Sequence, residues 1–196
     1  MNRKEARFEE ICRAALKGFS TYGYRKTTVG DIASQLGMTQ SNLYFYAKNK
    51  KDLYEKAVGF ALEQWQQYVN EAIEKEDDVR KRFLVMCEKA VEYLVENDEL
   101  RRILARDPDI FPLFTGKDPY EAINDRSARM IRSVLEQGMK KKAFRRLDVE
   151  KTSQVILMLY KMLVIHTYIQ TDKEFVQDLF GHILDLMTQG LFTEET

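Results

Sequence analysis

The chain has 196 residues with 44% apolar side chains, 3 Pro and 9 Gly, which predicts one domain or two small ones, mostly helical around a hydrophobic core. Its two cysteines, Cys12 and Cys87, are too few and too far apart for a disulfide framework or a four-ligand zinc site; they are predicted to be small buried residues, with a redox switch as the alternative. The formal net charge is zero, but residues 1–50 hold nine Lys/Arg against four acids, a net of +5, and the remainder carries −5, which suits a basic head on a polyanion and argues against nucleic acid wrapped along the whole chain.

The N-terminal quarter is predicted to form three helices, of which the second and third are short. The first runs from about Arg3 to Tyr22, with an apolar residue at every third or fourth position, and Gly23 ends it. The segment Thr28 to Asp31 has the pattern of a capping box that begins a second helix. Gly37 then makes the turn to a third helix, which begins at residue 39 or 40. A helix, a tight glycine turn and a short polar helix are the layout of a helix-turn-helix, which places its second helix in the DNA major groove.

The rest of the chain is also predicted to be helical. A long helix after Lys51 reaches the acidic cluster Glu74 to Asp78, which is predicted to be a bend or domain edge. The segment Arg106 to Pro119 holds all three prolines and is predicted to be a loop, because proline removes a backbone donor and clashes inside a helix. Further helices are predicted over Val79–Glu96, Tyr120–Lys140, Leu147–Ile169 and Asp172–Leu191. The predicted fold is all-α with about nine helices: a three-helix helix-turn-helix head and a helical body.

Residues at set spacings in this head resemble a known family. They are Gly23, Thr27, Thr28, Ile32, Ala33, Gly37, Leu43, Tyr44, Tyr46, Lys48, Lys50 and Leu53. Over residues 8–55 the chain is similar to the tetracycline-repressor (TetR) family of bacterial transcription regulators. The resemblance implies a DNA-binding domain at residues 1–50 and an effector-binding and dimerisation domain at residues 51–196. Its implied function is a ligand-responsive regulator, a repressor that binds a palindromic operator as a homodimer and is released by a small hydrophobic or aromatic effector.

The predicted DNA contacts lie around the third helix. They are Thr27, Thr28, Thr39, Gln40, Ser41, Asn42, Tyr44, Phe45, Tyr46 and Lys48. Gln40 and Asn42 can each make paired hydrogen bonds to adenine, and Phe45 can offer apolar contact to a thymine methyl group. The alternative is that the polar residues are only a helix cap and a solvated face. Ser41, Phe45 and Ala47 depart from the family pattern, so the operator sequence cannot be copied from relatives.

The body offers a dimer surface and a candidate ligand site. The helix over residues 155–165 is apolar on nearly every side, and such a helix must be buried on every side. Paired with the last helix, it predicts a four-helix bundle between two subunits, with burial inside a monomer as the alternative. The predicted interface residues are Phe175, Leu179, Ile183, Leu186 and Met187. The candidate pocket residues are Phe83, Met86, Tyr93, Phe111, Phe114, Tyr120, Met130, Met158, Met162 and His166.

Two other functions compete with a DNA-binding regulator. An enzyme is disfavoured because the chain has only two histidines and no glycine-rich phosphate loop or metal-spaced cluster, so no catalytic residue, cofactor or metal is predicted. A helical adaptor that binds proteins remains as the second alternative. The charged N-terminus lacks the apolar core of an export signal, and the longest apolar run is shorter than a membrane span. A cytoplasmic protein without membrane contact is therefore expected.

Overall fold

The computed structural model describes residues 3–107, 118–169 and 173–193, with side chains described for all of these except 163–169 and 173–177. Nine helices are found in these ranges, and the all-α prediction is confirmed. They are α1 Arg3–Lys26, α2 Val29–Gln35, α3 Gln40–Leu43, α4 Lys50–Glu74, α5 Val79–Glu96, α6 Asp98–Arg106, α7 Glu121–Lys140, α8 Val149–Ile169 and α9 Lys173–Leu191. Of the helices so described, none is long and apolar enough to pass through a lipid bilayer.

Side-chain caps explain where several helices begin. The Thr28 hydroxyl accepts a hydrogen bond from the Asp31 backbone N–H, and the Asp31 carboxylate accepts one from the Thr28 backbone N–H, so the predicted capping box is present at α2. Thr39 caps α3 through the Asn42 N–H in the same way. Asn49 caps α4. Each cap satisfies a backbone donor that the first turn of a helix leaves without a partner.

Two glycines shape the helix-turn-helix. Gly23 interrupts α1 with φ of 82° and ψ of 160°, and Gly37 adopts φ of 63° in the turn between α2 and α3. Both values lie in the region that side chains with a Cβ rarely adopt. The prediction placed the end of the first helix at Gly23, whereas the chain resumes a further helical turn through Lys26. This last turn carries Arg25 and Lys26 toward the start of α2.

The body differs from the sequence prediction at one element. The sequence pattern did not predict helix α6, Asp98–Arg106, although Leu100, Ile103 and Leu104 share its buried face. The acidic cluster begins at Glu74, the last residue of α4, and residues 75–78 form the short turn to α5, which packs against α4. Most of the predicted proline loop lies outside the described residues.

Helix α4 is the central element of the fold. It packs against α1 at its N-terminal end and against α5 and α7 further along. Leu53, Ala57 and Val58 are buried with the head, while Trp65 and Val69 are buried in the body. One contiguous core therefore follows α4 from the helix-turn-helix into the body.

The C-terminal segment is held by an aromatic cluster. The Phe144 and Phe192 rings stack with centroids 5.1 Å apart, and both pack edge-on against Phe83. The Arg145 N–H donates to the Leu191 carbonyl at 2.9 Å. This cluster lies over Gly138 of α7, where a Cβ atom would overlap the Phe144 ring.

We expect Gly138→Ala to lower the free energy of unfolding by about 1–2 kcal/mol. Overpacking a buried site typically costs about 1–3 kcal/mol, and the gain in helix propensity of up to about 1 kcal/mol offsets only part of it. Urea unfolding measures the change. Gly59→Ala is the matched control, since its Cβ would make only ordinary contacts of 3.8 Å with Tyr120 and Ile123; it should be neutral or stabilising. Equal stability of the two variants would contradict the packing described for Phe144.

Candidate nucleic-acid interface and ligand cavity

Helix α3 divides its residues sharply between core and solvent. Leu43 is fully buried and anchors the helix to the head. Gln40, Ser41 and Asn42 are exposed on the opposite side, and Phe45, in the turn that follows, is 84% exposed. The neighbouring Tyr44 is 43% exposed, so two adjacent aromatic side chains lie in solvent on this surface. The polar residues and the Phe45 ring together form a surface that can meet base edges.

Two exposed side chains of this surface hold each other in place. The Gln40 side-chain amide donates a hydrogen bond to the Tyr44 hydroxyl at 3.1 Å. The side-chain oxygen of Gln40, Oε1, lies near Gly30 of α2. Because the two side chains are four residues apart, they lie on the same side of the helix. The bond limits the rotamers of Gln40 and Tyr44 before any partner arrives.

The structure corrects the prediction for Thr27. Its side chain is 3% exposed, and its hydroxyl lies within hydrogen-bonding distance of the Gly18 carbonyl at 3.0 Å and the Gly23 carbonyl at 2.9 Å. A threonine hydroxyl has one hydrogen to donate, so Thr27 fastens the α1–α2 corner and cannot reach a phosphate. Thr28 is exposed, but its hydroxyl donates to Asp31 at 2.6 Å. That bond is the main cause of the lowered pKa of the Asp31 carboxyl.

The cations near α3 differ in how freely they can move. Lys50 donates to the Arg25 carbonyl at 3.2 Å and lies 4.6 Å above the Tyr24 ring, which fixes it to the head. Lys56 donates to Asp52 at 2.9 Å and lowers the pKa of that carboxyl. Lys48 lies exposed between α3 and α4. Of the predicted contact residues, Thr39 is also exposed and Tyr46 is half-buried against the core.

A cavity of about 110 Å³ lies in the body between α4, α5, α7, α8 and α9. Its walls are almost entirely apolar. The lining residues are Leu62, Trp65, Gln66, Val69, Met86, Cys87, Ala90, Ile123, Asn124, Ser127, Met130, Ile131, Ile156, Leu157, Leu159, Tyr160, Lys161, Phe180, Ile183, Leu184 and Met187. A mostly apolar cavity with a few polar groups is the usual form of a small-molecule site.

The predicted pocket residues are scattered relative to this cavity. Met86 and Met130 line it. Phe83 lies instead in the aromatic cluster with Phe144 and Phe192. Tyr93 stacks on Trp65 behind the wall. Tyr120 is buried beside Gly59, and Met158 and Met162 are exposed. Phe111, Phe114 and the side chain of His166 lie outside the described residues.

The polar atoms of the aromatic wall are satisfied internally. The Trp65 indole N–H and the Tyr160 hydroxyl both donate to the Ala90 carbonyl, at 2.9 Å and 3.1 Å. Burial raises the pKa of the Cys87 thiol, which lines the cavity, to about 12. Burial in α1, outside this wall, raises the pKa of the Cys12 thiol to about 12 as well. Thiols with such pKa values are protonated and unreactive near neutral pH. These side chains therefore act as apolar surface.

Head and body are joined by specific hydrogen bonds at the end of α6. Arg106 donates to the Ser20 carbonyl of α1 at 2.7 Å. The Tyr54 hydroxyl of α4 donates to the Asp107 carboxylate at 2.9 Å. Burial and this carboxylate both raise the pKa of Tyr54, so the hydroxyl remains a donor. The C-terminal end of α6 is thus tied to both helices that carry the head.

Helices α8 and α9 both leave apolar side chains in solvent. Val155, Met158 and Met162 are exposed along α8, and Leu186 of α9 is 70% exposed. Of the predicted interface residues, Leu179, Ile183 and Met187 are half-buried, and the last two line the cavity. The side chain of Phe175 lies outside the described residues. The exposed apolar set is larger than the scattered single residues that are normal on a protein surface.

Several residues of these sites were missed by sequence reasoning. Lys161, Gln66 and Asn124 line the cavity from three helices, and Arg106 and Tyr54 join head and body. The hydrogen bonds of Gln66, Arg106 and Tyr54 join residues at least 53 positions apart in sequence. No local pattern reports contacts at that separation. The one available signal was Lys161, a cation inside the apolar run of residues 155–165.

Residues 11–57 match the protein family described as bacterial regulatory proteins, tetR family. The HTH-type transcriptional regulator YhgD of Bacillus subtilis is 24% identical over 154 residues, covering 79% of this chain and 80% of that protein. These relatives are transcriptional regulators rather than enzymes, as the sequence predicted.

Two solved structures share the fold over nearly the whole chain. A TetR-family transcriptional regulator from Pectobacterium atrosepticum superposes with a TM-score of 0.81 at 18% identity, covering 100% of both chains. The transcriptional regulator FadR from Bacillus subtilis, in complex with stearoyl-CoA, gives a TM-score of 0.77 at 20% identity, covering 92% of this chain and 97% of that one. At these identities the likeness concerns the fold alone.

Proposed function

We propose that this chain is a transcriptional regulator of the tetR family, a homodimeric repressor that binds a palindromic operator and is released by a small hydrophobic or aromatic effector. The observation that carries the proposal is that α4 borders both sites: its first turns pack in the head, and Leu62, Trp65 and Gln66 line the cavity. In this proposal residues 1–50 bind DNA, residues 51–196 bind the effector and the second subunit, and the protein acts in the cytoplasm.

The DNA-binding part of the proposal rests on the exposed surface of α3. Gln40 and Asn42 read adenine through paired hydrogen bonds, and Phe45 packs against a thymine methyl group. Tyr44 and Lys48 bind the phosphate backbone, which positions the helix without reading sequence. The net charge of +5 over residues 1–50 adds attraction to any DNA. Thr27 has no part in this interface.

The dimer is proposed to form through the exposed apolar surface of α8 and α9. Val155, Met158 and Met162 recur at three- and four-residue spacing, so they lie along one side of α8. Packing them and Leu186 against the same surface of a second subunit removes them from water in a four-helix bundle. A dimer places two recognition helices about 34–36 Å apart, on successive turns of the major groove. Operator and protein then share a two-fold axis.

The effector is proposed to bind in the apolar cavity. The similar structure of FadR from Bacillus subtilis holds stearoyl-CoA, a ligand with a long apolar part, and this supports an apolar effector here. A ligand that favours one arrangement of α4 and α7 shifts the population of head orientations. Trp65 lies about 18 Å along α4 from Leu53, at 1.5 Å per residue. A small tilt of α4 therefore moves both recognition helices out of register with the operator.

The hydrogen bonds at the end of α6 hold the head orientation in this mechanism. We expect the double variant Tyr54→Phe, Arg106→Ala to bind operator about 3–10-fold more weakly, although neither residue touches DNA, because head orientation becomes less defined. Fluorescence anisotropy with a labelled operator measures the change. Tyr68→Phe, Arg102→Ala is the matched control, since it removes a hydroxyl bonded to Glu92 and a guanidinium bonded to Asp98. Unchanged operator affinity in the first variant would contradict a role for this link.

Selection of bound genomic fragments tests the proposed function. The full-length protein should enrich a small set of fragments that share a palindrome, and binding should fall steeply between 50 and 200 mM salt, by roughly 10³-fold or more for a protein with several phosphate contacts. A protein-binding adaptor would give no selective enrichment. That result would overturn the proposal.

A further inference from the structure

The ligand cavity offers few polar groups to anything that enters it. The lining residues with amide, hydroxyl or ammonium groups on flexible side chains are Gln66, Asn124, Ser127 and Lys161. Trp65 lines the wall as well, but its indole N–H is bonded to a backbone carbonyl. The recognition of a polar ligand group therefore depends on which of these four can still donate or accept.

The neutral members of this set already have hydrogen-bond partners within the protein. The Gln66 amide donates to the Ile123 carbonyl and to the Ser127 hydroxyl, the latter at 2.6 Å, and its oxygen accepts from Arg126 at 3.3 Å. The Asn124 amide donates to the Asp118 carboxylate at 2.6 Å. Breaking these bonds would leave partly buried polar atoms without partners, which is unfavourable. The Gln66 bonds fasten α4 to α7, and the Asn124 bond fastens the first turn of α7 to the residue Asp118 before it.

Lys161 is the cation of the cavity wall. It lies one helical turn after Leu157, another lining residue, so both face the same side of α8. Burial lowers the pKa of Lys161, and the Asp118 carboxylate is the charge that counteracts this. Desolvation of an ammonium is unfavourable unless anions or acceptors compensate it. An ammonium has three N–H donors, so Lys161 can bind a ligand oxygen in addition to its existing neighbours.

From this arrangement we propose that the effector is an apolar monocarboxylate. Its carboxylate is bound by the Lys161 ammonium, and its hydrocarbon part lies against Trp65, Met86 and Ile131. Charge neutralisation at Lys161 supplies the specificity, and removal of the hydrocarbon from water supplies much of the affinity. This inference rests on the proposed function, because it names the ligand class of the same cavity.

Trp65 provides the measurement, since it is the single tryptophan of the chain and lines the cavity. Decanoate and 4-phenylbutyrate are titrated against the full-length protein, each beside the uncharged alcohol of the same carbon skeleton. We expect saturable changes in tryptophan fluorescence. In Lys161→Met, which keeps most of the side-chain length without the charge, the Kd for the carboxylates should rise at least about 10-fold, as for loss of a charge-assisted hydrogen bond. The Kd for the alcohols should change by less than about 3-fold.

Two further variants make the comparison decisive. Lys161→Arg keeps the charge and should bind the carboxylates within about 3-fold of the unchanged protein. Lys151→Met is the matched control, an exposed lysine on the same helix that pairs with Asp148 at 3.3 Å; it should change no Kd. Lys161→Gln replaces the methionine variant if the latter does not fold. Equal losses for carboxylates and alcohols, no loss for either, or no saturable binding of the carboxylates to the unchanged protein would each overturn the inference.

The same preparations separate this inference from the proposed function. Each is also titrated with an enriched genomic fragment in the presence of each ligand. Release of the fragment by the alcohols alone overturns the carboxylate assignment and leaves the proposed repressor intact. Carboxylate binding that depends on Lys161 but releases no fragment supports the ligand class and contradicts the proposed control of DNA binding.

Discussion

Replacing Gln40 and Asn42 together by alanine should weaken binding to a selected operator by at least about 100-fold. Each paired hydrogen bond to an adenine is worth about 1–3 kcal/mol of discrimination, and a dimer loses the contacts of two heads. A loss of about 1.4 kcal/mol is tenfold in affinity. Both side chains are exposed, so their removal should leave the stability of the head nearly unchanged. Anisotropy titrations with operator and with a scrambled duplex measure the affinity and the specificity.

Gln67→Ala, Asn70→Ala is the matched control for this variant. It removes the same residue types from exposed positions of α4, where they bond Glu71 and Glu74, and it should bind operator as the unchanged protein does. Binding to the scrambled duplex should hardly change in either variant, because phosphate contacts supply it. Tight, selective binding by a folded Gln40→Ala, Asn42→Ala protein would refute the assignment of these residues as base contacts.

Introducing Val155→Glu and Leu186→Glu together should convert the proposed dimer to monomers. Val155 is 54% exposed and Leu186 is 70% exposed in a single subunit, so the charges do not disturb the core of the monomer. In a four-helix bundle they would bury four unpaired carboxylates, at several kcal/mol each. Sedimentation velocity at micromolar concentration should show a monomer, and operator affinity should fall by at least about 100-fold, because each monomer holds only half of the palindrome.

Val95→Glu controls for the added charge. Val95 is 44% exposed on α5 and is not part of the proposed interface, so this variant should remain dimeric and bind operator normally. Ile183 is unsuited to this test because it lines the cavity. Its replacement would change both the proposed interface and the ligand cavity. A stable dimer of the doubly charged protein would refute the proposed interface.

The sequence predicted the head well because local chemistry determines it. Thr28 and Asp31 cap α2, Gly37 takes the left-handed turn, and Leu43 anchors α3, and each of these acts within a few residues. Periodicity likewise gave the body helices to within a few residues. The sequence pattern did not predict α6, because a nine-residue helix with three buried apolar residues gives a weak periodic signal.

Residue roles that depend on tertiary contacts could not be predicted in this way. Thr27 has the sequence context of a DNA contact, yet its hydroxyl is buried against α1 carbonyls. Phe83 and Met86 share one side of α5, but only Met86 reaches the cavity. Helical spacing shows that a residue faces inward; whether it meets another side chain or an open space depends on helices far away in sequence.

Nucleotide-resolution protection of the most enriched genomic fragment tests whether α3 reads a palindromic operator. We expect two protected half-sites related by a dyad, with centres one helical turn of about 10 base pairs or a multiple apart. Their major-groove protection should be lost in Gln40→Ala, Asn42→Ala. Protection of a single site without a dyad, or the same pattern in both proteins, would contradict the assignment of α3 as the element that reads the operator.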